Sequence, residues 1–260
     1  MKPTIFLFPA IIAAALFTAH FPTFAPAKQA FSSNIIGFTM QNVPQGQNLL
    51  GSSLRPLPSA IKTSESVFAG QLDGEFSAGD TVRFYDTQNN TFVIFQYYAG
   101  DLIDMKSATP YGNTGWGINF HKADFYLEPG TAFWLTTTSP STRIMLSGSI
   151  ERTTSPVVEI AAGMNLVSAP FPIDNKLTDL KFDGFAEGDK IMFYDQINRT
   201  YVSLEWYEGN LAFLENPLAE GHSGWGIDGI AHDYPIPRFT GFWVNAAKPA
   251  TIKFSSPRFY

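Results

Sequence analysis

Beyond residue 27 the chain carries three histidines, His121, His222 and His232. Histidine is the side chain best suited to move protons near neutral pH, so proton-transfer chemistry is sought there first. His222-Ser223, followed by Asp228 and Asp233, supplies the residue types of a hydrolytic triad, but no nucleophile-elbow glycine pattern surrounds Ser223. Glu205 and Glu208 flank Trp206 and Tyr207 as the two carboxylates of a glycosidase would, yet strand alternation sends them to opposite faces. Asp101 with Asp104, and Asp179 with Asp183, offer oxygen ligands without the spacing of a calcium loop. The chain has no cysteine, which removes thiolate nucleophiles, disulfides and sulfur-ligated metals. These residues predict no catalytic site, no metal and no cofactor.

Aromatic residues make up 15% of the chain, as much as all charged residues together, and they are the stronger functional signal. On alternating strands, Tyr194, Tyr201, Glu205 and Tyr207 share an outer face, and Tyr85, Phe92, Ile94, Gln96 and Tyr98 share another. Rings with hydrogen-bonding edges suit sugar faces and peptide surfaces. The candidate binding residues are therefore Tyr85, Phe92, Tyr98, Tyr194, Tyr201, Glu205 and Tyr207. The alternative is that a second sheet or a neighbouring copy covers these strips and makes them core.

The elements that would position these residues occur twice. Gly79-Asp80-Thr81-Val82-Arg83-Phe84-Tyr85-Asp86 matches Gly188-Asp189-Lys190-Ile191-Met192-Phe193-Tyr194-Asp195. At the same spacing, Gly115-Trp116-Gly117-Ile118 matches Gly224-Trp225-Gly226-Ile227, and Phe133-Trp134 matches Phe242-Trp243. Gly46 to Leu50 matches Gly163 to Val167 at a wider spacing, so extra residues fall between Leu54 and Asp80, in a loop. Runs of β-branched and aromatic residues alternate with Gly, Pro, Asn and Asp clusters, and no helical period is sustained. The reading is all-β, with two tandem homologous β-sandwich or barrel-like domains, residues 28–150 and 151–260, joined through the polar residues 151–154.

Each copy should contain a hairpin. Its register places Tyr85 opposite Phe92, Phe84 opposite Val93 and Val82 opposite Phe95; the second copy places Tyr194 opposite Tyr201, Phe193 opposite Val202, Ile191 opposite Leu204 and Lys190 opposite Glu205. The face formed by Val82, Phe84, Val93 and Phe95, and by Ile191, Phe193, Val202 and Leu204, should point inward. Asn89-Asn90-Thr91 and Asn198-Arg199-Thr200 match the glycosylation pattern, but a tight turn explains them without a sugar. The Gly-Trp-Gly-Ile segments are read as core packing or turn locks, with ligand binding by Trp116 or Trp225 as the minor alternative.

Lys2, an apolar stretch from Ile5 to Phe21 and the small residues of Ala25-Pro26-Ala27 read as a signal peptide over residues 1–27. The net charge of -6 and the absence of any Lys/Arg cluster argue against nucleic acid. No later apolar run is long enough to span a bilayer as a helix. The expected location is outside the cytoplasm, whether secreted, at the cell surface or periplasmic.

The Gly46 to Leu50, Gly79 to Asp86 and Pro129-Gly130-Thr131-Ala132-Phe133-Trp134 motifs, with their second-copy counterparts, resemble a tandem β-rich repeat of secreted and surface bacterial proteins. The second copy departs from it with Arg238-Phe239 in place of Pro-Gly. The resemblance implies export and a β-fold. The expected role is a non-catalytic structural or interaction protein, such as a surface or appendage subunit, meeting other surface proteins or itself. A carbohydrate-binding module that grips polysaccharide through the aromatic strips is the alternative.

Overall fold

A computed structural model describes residues 35–55, 72–150, 156–212 and 221–255. The expected signal peptide, the joint at 151–154 and most of the extra loop residues after Leu54 lie outside these. The described residues pack as one compact unit. The chain is all-β, with one short 3-10 turn among the described residues, at Leu177–Asp179.

The N-terminal half contributes β1 (Ile35–Gly51), β2 (Leu72–Gly74), β3 (Thr81–Asp86), β4 (Thr91–Leu102), β5 (Asn113–Ile118), β6 (His121–Lys122) and β7 (Ala132–Ile150). They form a sheet in the order β1-β7-β3-β4-β5-β6, with β2 also on β7. The C-terminal half contributes β8 (Val157–Ile160), β9 (Gly163–Ser168), β10 (Asn175–Lys176), β11 (Lys181–Asp183), β12 (Lys190–Asp195), β13 (Thr200–Leu211), β14 (His222–Ile227), β15 (Ile230–Ala231), β16 (Pro235–Ile236), β17 (Gly241–Ala246) and β18 (Ala250–Lys253). Here the order β9-β17-β12-β13-β14-β15 mirrors the first sheet, while β8, β18 and β11 form a separate sheet and β10 pairs with β16.

Both hairpins adopt the register expected from alternation. Tyr85 faces Phe92, Phe84 faces Val93 and Val82 faces Phe95. Tyr194 faces Tyr201, Phe193 faces Val202, Ile191 faces Leu204 and Lys190 faces Glu205. Phe84 and Phe193 occupy like surroundings: Phe84 lies 4.7 Å from Phe125 and 5.8 Å from Phe133, and Phe193 lies 4.4 Å from Tyr234 and 5.4 Å from Phe242. The inward face needs one correction, because Val93 is 38% exposed. It sits near the hairpin tip, where Phe84 opposite it is only partly buried, so the core does not reach that far.

Polar side chains fix the turns between these strands. The Asp86 carboxylate accepts the N–H groups of Gln88 and Asn89 and the Asn89 side-chain amide at 2.7 Å; Asp195 does the same for Ile197, Asn198 and the Asn198 amide. These bonds account for the Asn-x-Thr pattern as turn chemistry. Asn48 donates to the carbonyls of Pro44 and Gly46, and Asn165 to those of Ala161 and Gly163, which explains asparagine in the Gly-x-Asn-Leu motif. Buried Asp80 accepts the N–H groups of Ser77 and Thr138, and buried Asp189 those of Ala186 and Ala247. Each buried carboxylate therefore ties the loop before the hairpin to the neighbouring strand, within β7 at Thr138 and just past β17 at Ala247.

The glycine-tryptophan motif packs into the interior of each half. Trp116 and Trp225 are buried among the apolar residues of their own halves. A Cβ on Gly117 would meet the His121 carbonyl at 2.4 Å and the Leu102 side chain at 2.6 Å; Gly226 stands in the same relation to Ile230 and Leu211. Any side chain there would separate the short β5–β6 and β14–β15 pairs.

Candidate functional site

The aromatic strips of the two hairpins meet across the middle of the compact unit. Along β7 and β17, Phe133 and Phe242 point into their own cores, so alternation turns Trp134 and Trp243 to the opposite face. Trp134, Trp243 and Leu49 form a third buried cluster, edged by Tyr85, Tyr194, Met164 and Met192. The contacts are reciprocal. Tyr85 of the first hairpin packs against Trp243 of the second half, with centroids 4.9 Å apart, and Tyr194 packs against Trp134 at 4.8 Å.

The main chain repeats this exchange. Gly51 donates to the Phe239 carbonyl at 2.8 Å, and Ser168 donates to the Gly130 carbonyl at 2.8 Å. Isolated bridges join Leu50 to Thr240 and Thr131 to Val167. These residues are pairwise counterparts in the sequence alignment of the halves, so each half offers the other the same surface. At the centre a Cβ on Gly51 would lie 2.3 Å from the Cβ of Ser168, a distance only glycine permits.

A groove of about 380 Å³ remains open along this seam. It is lined by four counterpart pairs: Gln47 with Met164, Arg83 with Met192, Phe92 with Tyr201, and Trp134 with Trp243. The symmetry is broken in chemistry, because Arg83 and Gln47 face two methionines. The Arg83 guanidinium stands 6.0 Å from the centroid of the Phe92 ring and donates to Thr136 Oγ1 at 3.3 Å, while its Nε–H has no acceptor among the described residues. Burial pushes the Tyr201 phenol above its usual range, partly offset by a hydrogen bond with Trp243 and by the charge of Arg83. The groove is thus an aromatic slot with one cationic wall, able to take an acceptor or a carboxylate.

Of the residues expected to bind, Tyr85, Phe92, Tyr194 and Tyr201 gather here, the two tyrosines of the hairpin strands β3 and β12 being half-buried by the opposite tryptophans. Glu205 and Tyr207 lie further along β13, outside the groove lining. Tyr98 is a correction, since it is 5% exposed and cannot form part of an open strip. Phe120 has a left-handed backbone (φ 67°) that folds its ring to 4.9 Å from Tyr98, and its N–H donates to the Tyr98 hydroxyl at 3.1 Å. The counterpart of Phe120 is Gly229, with no ring to cover Tyr207. Sequence reasoning missed Trp134, Trp243, Arg83, Gln47, Met164 and Met192 as groove residues; the available signal was the Phe-Trp dipeptide on a strand, which must present one ring to each face.

Two of the acidic candidates, Asp104 and Asp179, bond to neighbouring groups of the fold. Asp104 binds Lys122 Nζ at 2.7 Å, and this bond, followed by the Lys106 N–H, holds its carboxyl below the ordinary range. A carboxyl lowered by folding stabilises the fold above its unfolded pKa and loses that contribution as pH falls through the folded one. Asp179 accepts the Lys176 N–H, and Ser223 Oγ accepts the Gly209 N–H. Among the described residues no three of His, Asp or Glu cluster as metal ligands, and no helix is long and apolar enough to cross a membrane. No family model, no curated protein and no solved structure matches the chain.

Proposed function

We infer that the chain is an exported, non-catalytic interaction protein, built of two homologous halves, that assembles with further copies of itself at the cell surface. The observation that carries this reading is the edge of β1. Among the described residues, Ile35 to Pro44 of this strand pair only with β7, without a bulge, and the strand ends the sheet order. Its outward side chains include Phe38, 68% exposed, and Met40, 61% exposed. A long regular edge with apolar side chains is a template for another strand, and a monomeric protein ordinarily blunts such an edge with charge, proline or a bulge. Pro44 comes only at the far end, just before the register shift at Gly46.

Static light scattering on the purified exported chain should show mass rising with concentration. In Phe38→Lys/Met40→Lys the added charges should hold the protein monomeric while its thermal midpoint stays near the parent value, because both positions are exposed. A parent chain that remains monomeric at the highest soluble concentration would refute assembly through this edge.

Polysaccharide binding in the groove is the second reading, favoured by the ring pair Phe92 and Tyr201 beside Arg83 and Gln47. The flat faces and polar edges of the two rings suit the faces of a sugar ring. Retardation on polysaccharide affinity gels should accordingly disappear in Phe92→Ala/Tyr201→Ala; unchanged retardation in that variant rules the groove out.

A further inference from the structure

Two arginines stand at the seam groove with no carboxylate to answer them. Arg83 is one of the residues lining the groove, and none of the others is acidic. Its Nε–H is sealed from solvent, so contact with an occupant falls to the terminal amino groups. Nη2 donates to Thr136 Oγ1 at 3.3 Å, while Nη1, without a partner among the described residues, is not sealed in the same way. Arg199 comes from the other half. It is exposed in the β12–β13 turn, and its Nη2 lies 3.8 Å from the point a Cβ on Gly46 would occupy. Gly46 precedes Gln47, which lines the groove and pairs with Thr136. One guanidinium from each half therefore approaches the same short stretch of β1 and β7.

Among the described residues the ion pairs involve neither arginine. A charge drawn partly out of water is ordinarily paired. The groups around this cationic corner are donors and rings. Tyr201 accepts a hydrogen bond from the Trp243 indole, which can only donate, so the phenol keeps its own proton to give. The exposed Gln47 amide adds further N–H groups. Phe92 is 36% exposed and Tyr201 45% exposed, which leaves part of each ring open to an occupant.

We propose that the groove grips the uronate residues of an acidic polysaccharide, the sugar carboxylate on Arg83 and Arg199 and the sugar ring against Phe92 and Tyr201. This rests on the reading of the groove as a polysaccharide site and narrows it to carboxylated sugars. Guanidinium groups hold carboxylates through paired, charge-assisted hydrogen bonds. Every residue lining the groove belongs to a strand within a sheet, so the groove opens on sheet faces and not on an edge where a peptide backbone would pair. A sugar needs only ring faces and side-chain donors, and both are present.

The repeat supplies the substitutions for the test. The counterparts of Arg83 and Arg199 are Met192 and Asn90, and Asn90 has the same left-handed backbone as Arg199, φ 49° against 53°. The purified exported chain is titrated with oligomers of galacturonate, of mannuronate with guluronate, and of glucuronate with N-acetylglucosamine. Each is paired with its neutral methyl ester, and polyacrylate serves as a carboxylate polymer without sugar. Binding is read by calorimetry and by the emission of the groove tryptophans at physiological ionic strength. At least one free acid should bind with a dissociation constant in the millimolar range or tighter, and its ester about tenfold more weakly. Arg83→Met should weaken the acid by about the same tenfold and leave the ester unchanged. Arg199→Asn should weaken the acid several-fold and also spare the ester. Equal affinity for acid and ester overturns the inference while the groove remains a polysaccharide site; binding of neither by the parent chain overturns both. Unchanged affinity for the acid in both arginine variants overturns it too, as does polyacrylate bound as tightly as the uronates. If Arg83→Met does not fold, as judged by near-ultraviolet circular dichroism, Arg199→Asn in its exposed turn decides alone.

Discussion

Trp243→Ala should destabilise the protein by about 3–5 kcal/mol and separate the unfolding of the two halves. Trp243 is 7% exposed and belongs to neither half's own core. Its ring is 4.9 Å from Tyr85 and 6.1 Å from Phe92, both in the opposite half. Removing it opens a large cavity at the seam and leaves Phe92, in its own hairpin, as the edge-to-face partner of Tyr85. Calorimetry should then show a broadened or double transition in place of a single cooperative one. A cycle of Tyr85→Ala and Trp243→Ala should give a coupling of about 0.5–1.5 kcal/mol, and the cycle of Tyr194→Ala and Trp134→Ala should give a similar figure. Additive single effects in both cycles would mean that the reciprocal ring contacts do not hold the halves together.

The contrast between hairpin and seam explains what the sequence could disclose. Hairpin register followed from a side-chain period of two and from a second copy that gave the same answer, Ile191 opposite Leu204 as Val82 is opposite Phe95. The inward direction of Phe133 and Phe242 was equally local. The partner of an outward side chain is set by tertiary packing, which no strand period encodes. Tyr85 and Tyr194 therefore looked like an exposed platform until Trp243 and Trp134 were placed against them. Tyr98 failed for a local reason of another kind, because a phenylalanine at φ 67° covers it where the corresponding position has glycine.

The departure of Arg238-Phe239 from Pro129-Gly130 leads to the other large effect. Gly130 has φ 91°, and Phe239 adopts the same left-handed turn with φ 60°. A bulky residue in that region is strained by about 1–3 kcal/mol and persists only where the surroundings compensate. Here the compensation is visible: Phe239 is 5% exposed and packs into the core cluster of the N-terminal half, beside residues such as Leu50, Phe125 and Phe133. Its carbonyl also accepts the Gly51 N–H across the seam. Phe239→Ala should therefore cost about 3–5 kcal/mol, with most of the loss felt in the N-terminal half although the substitution lies in the C-terminal one. Phe239→Gly removes the same ring and the strain as well, so it should be more stable than Phe239→Ala by about 1 kcal/mol. Glycine normally weakens a strand region relative to alanine, which makes the reversed order diagnostic. Denaturant midpoints for the three chains read it directly; an alanine variant more stable than the glycine variant would show that the left-handed turn at Phe239 is not what the fold requires.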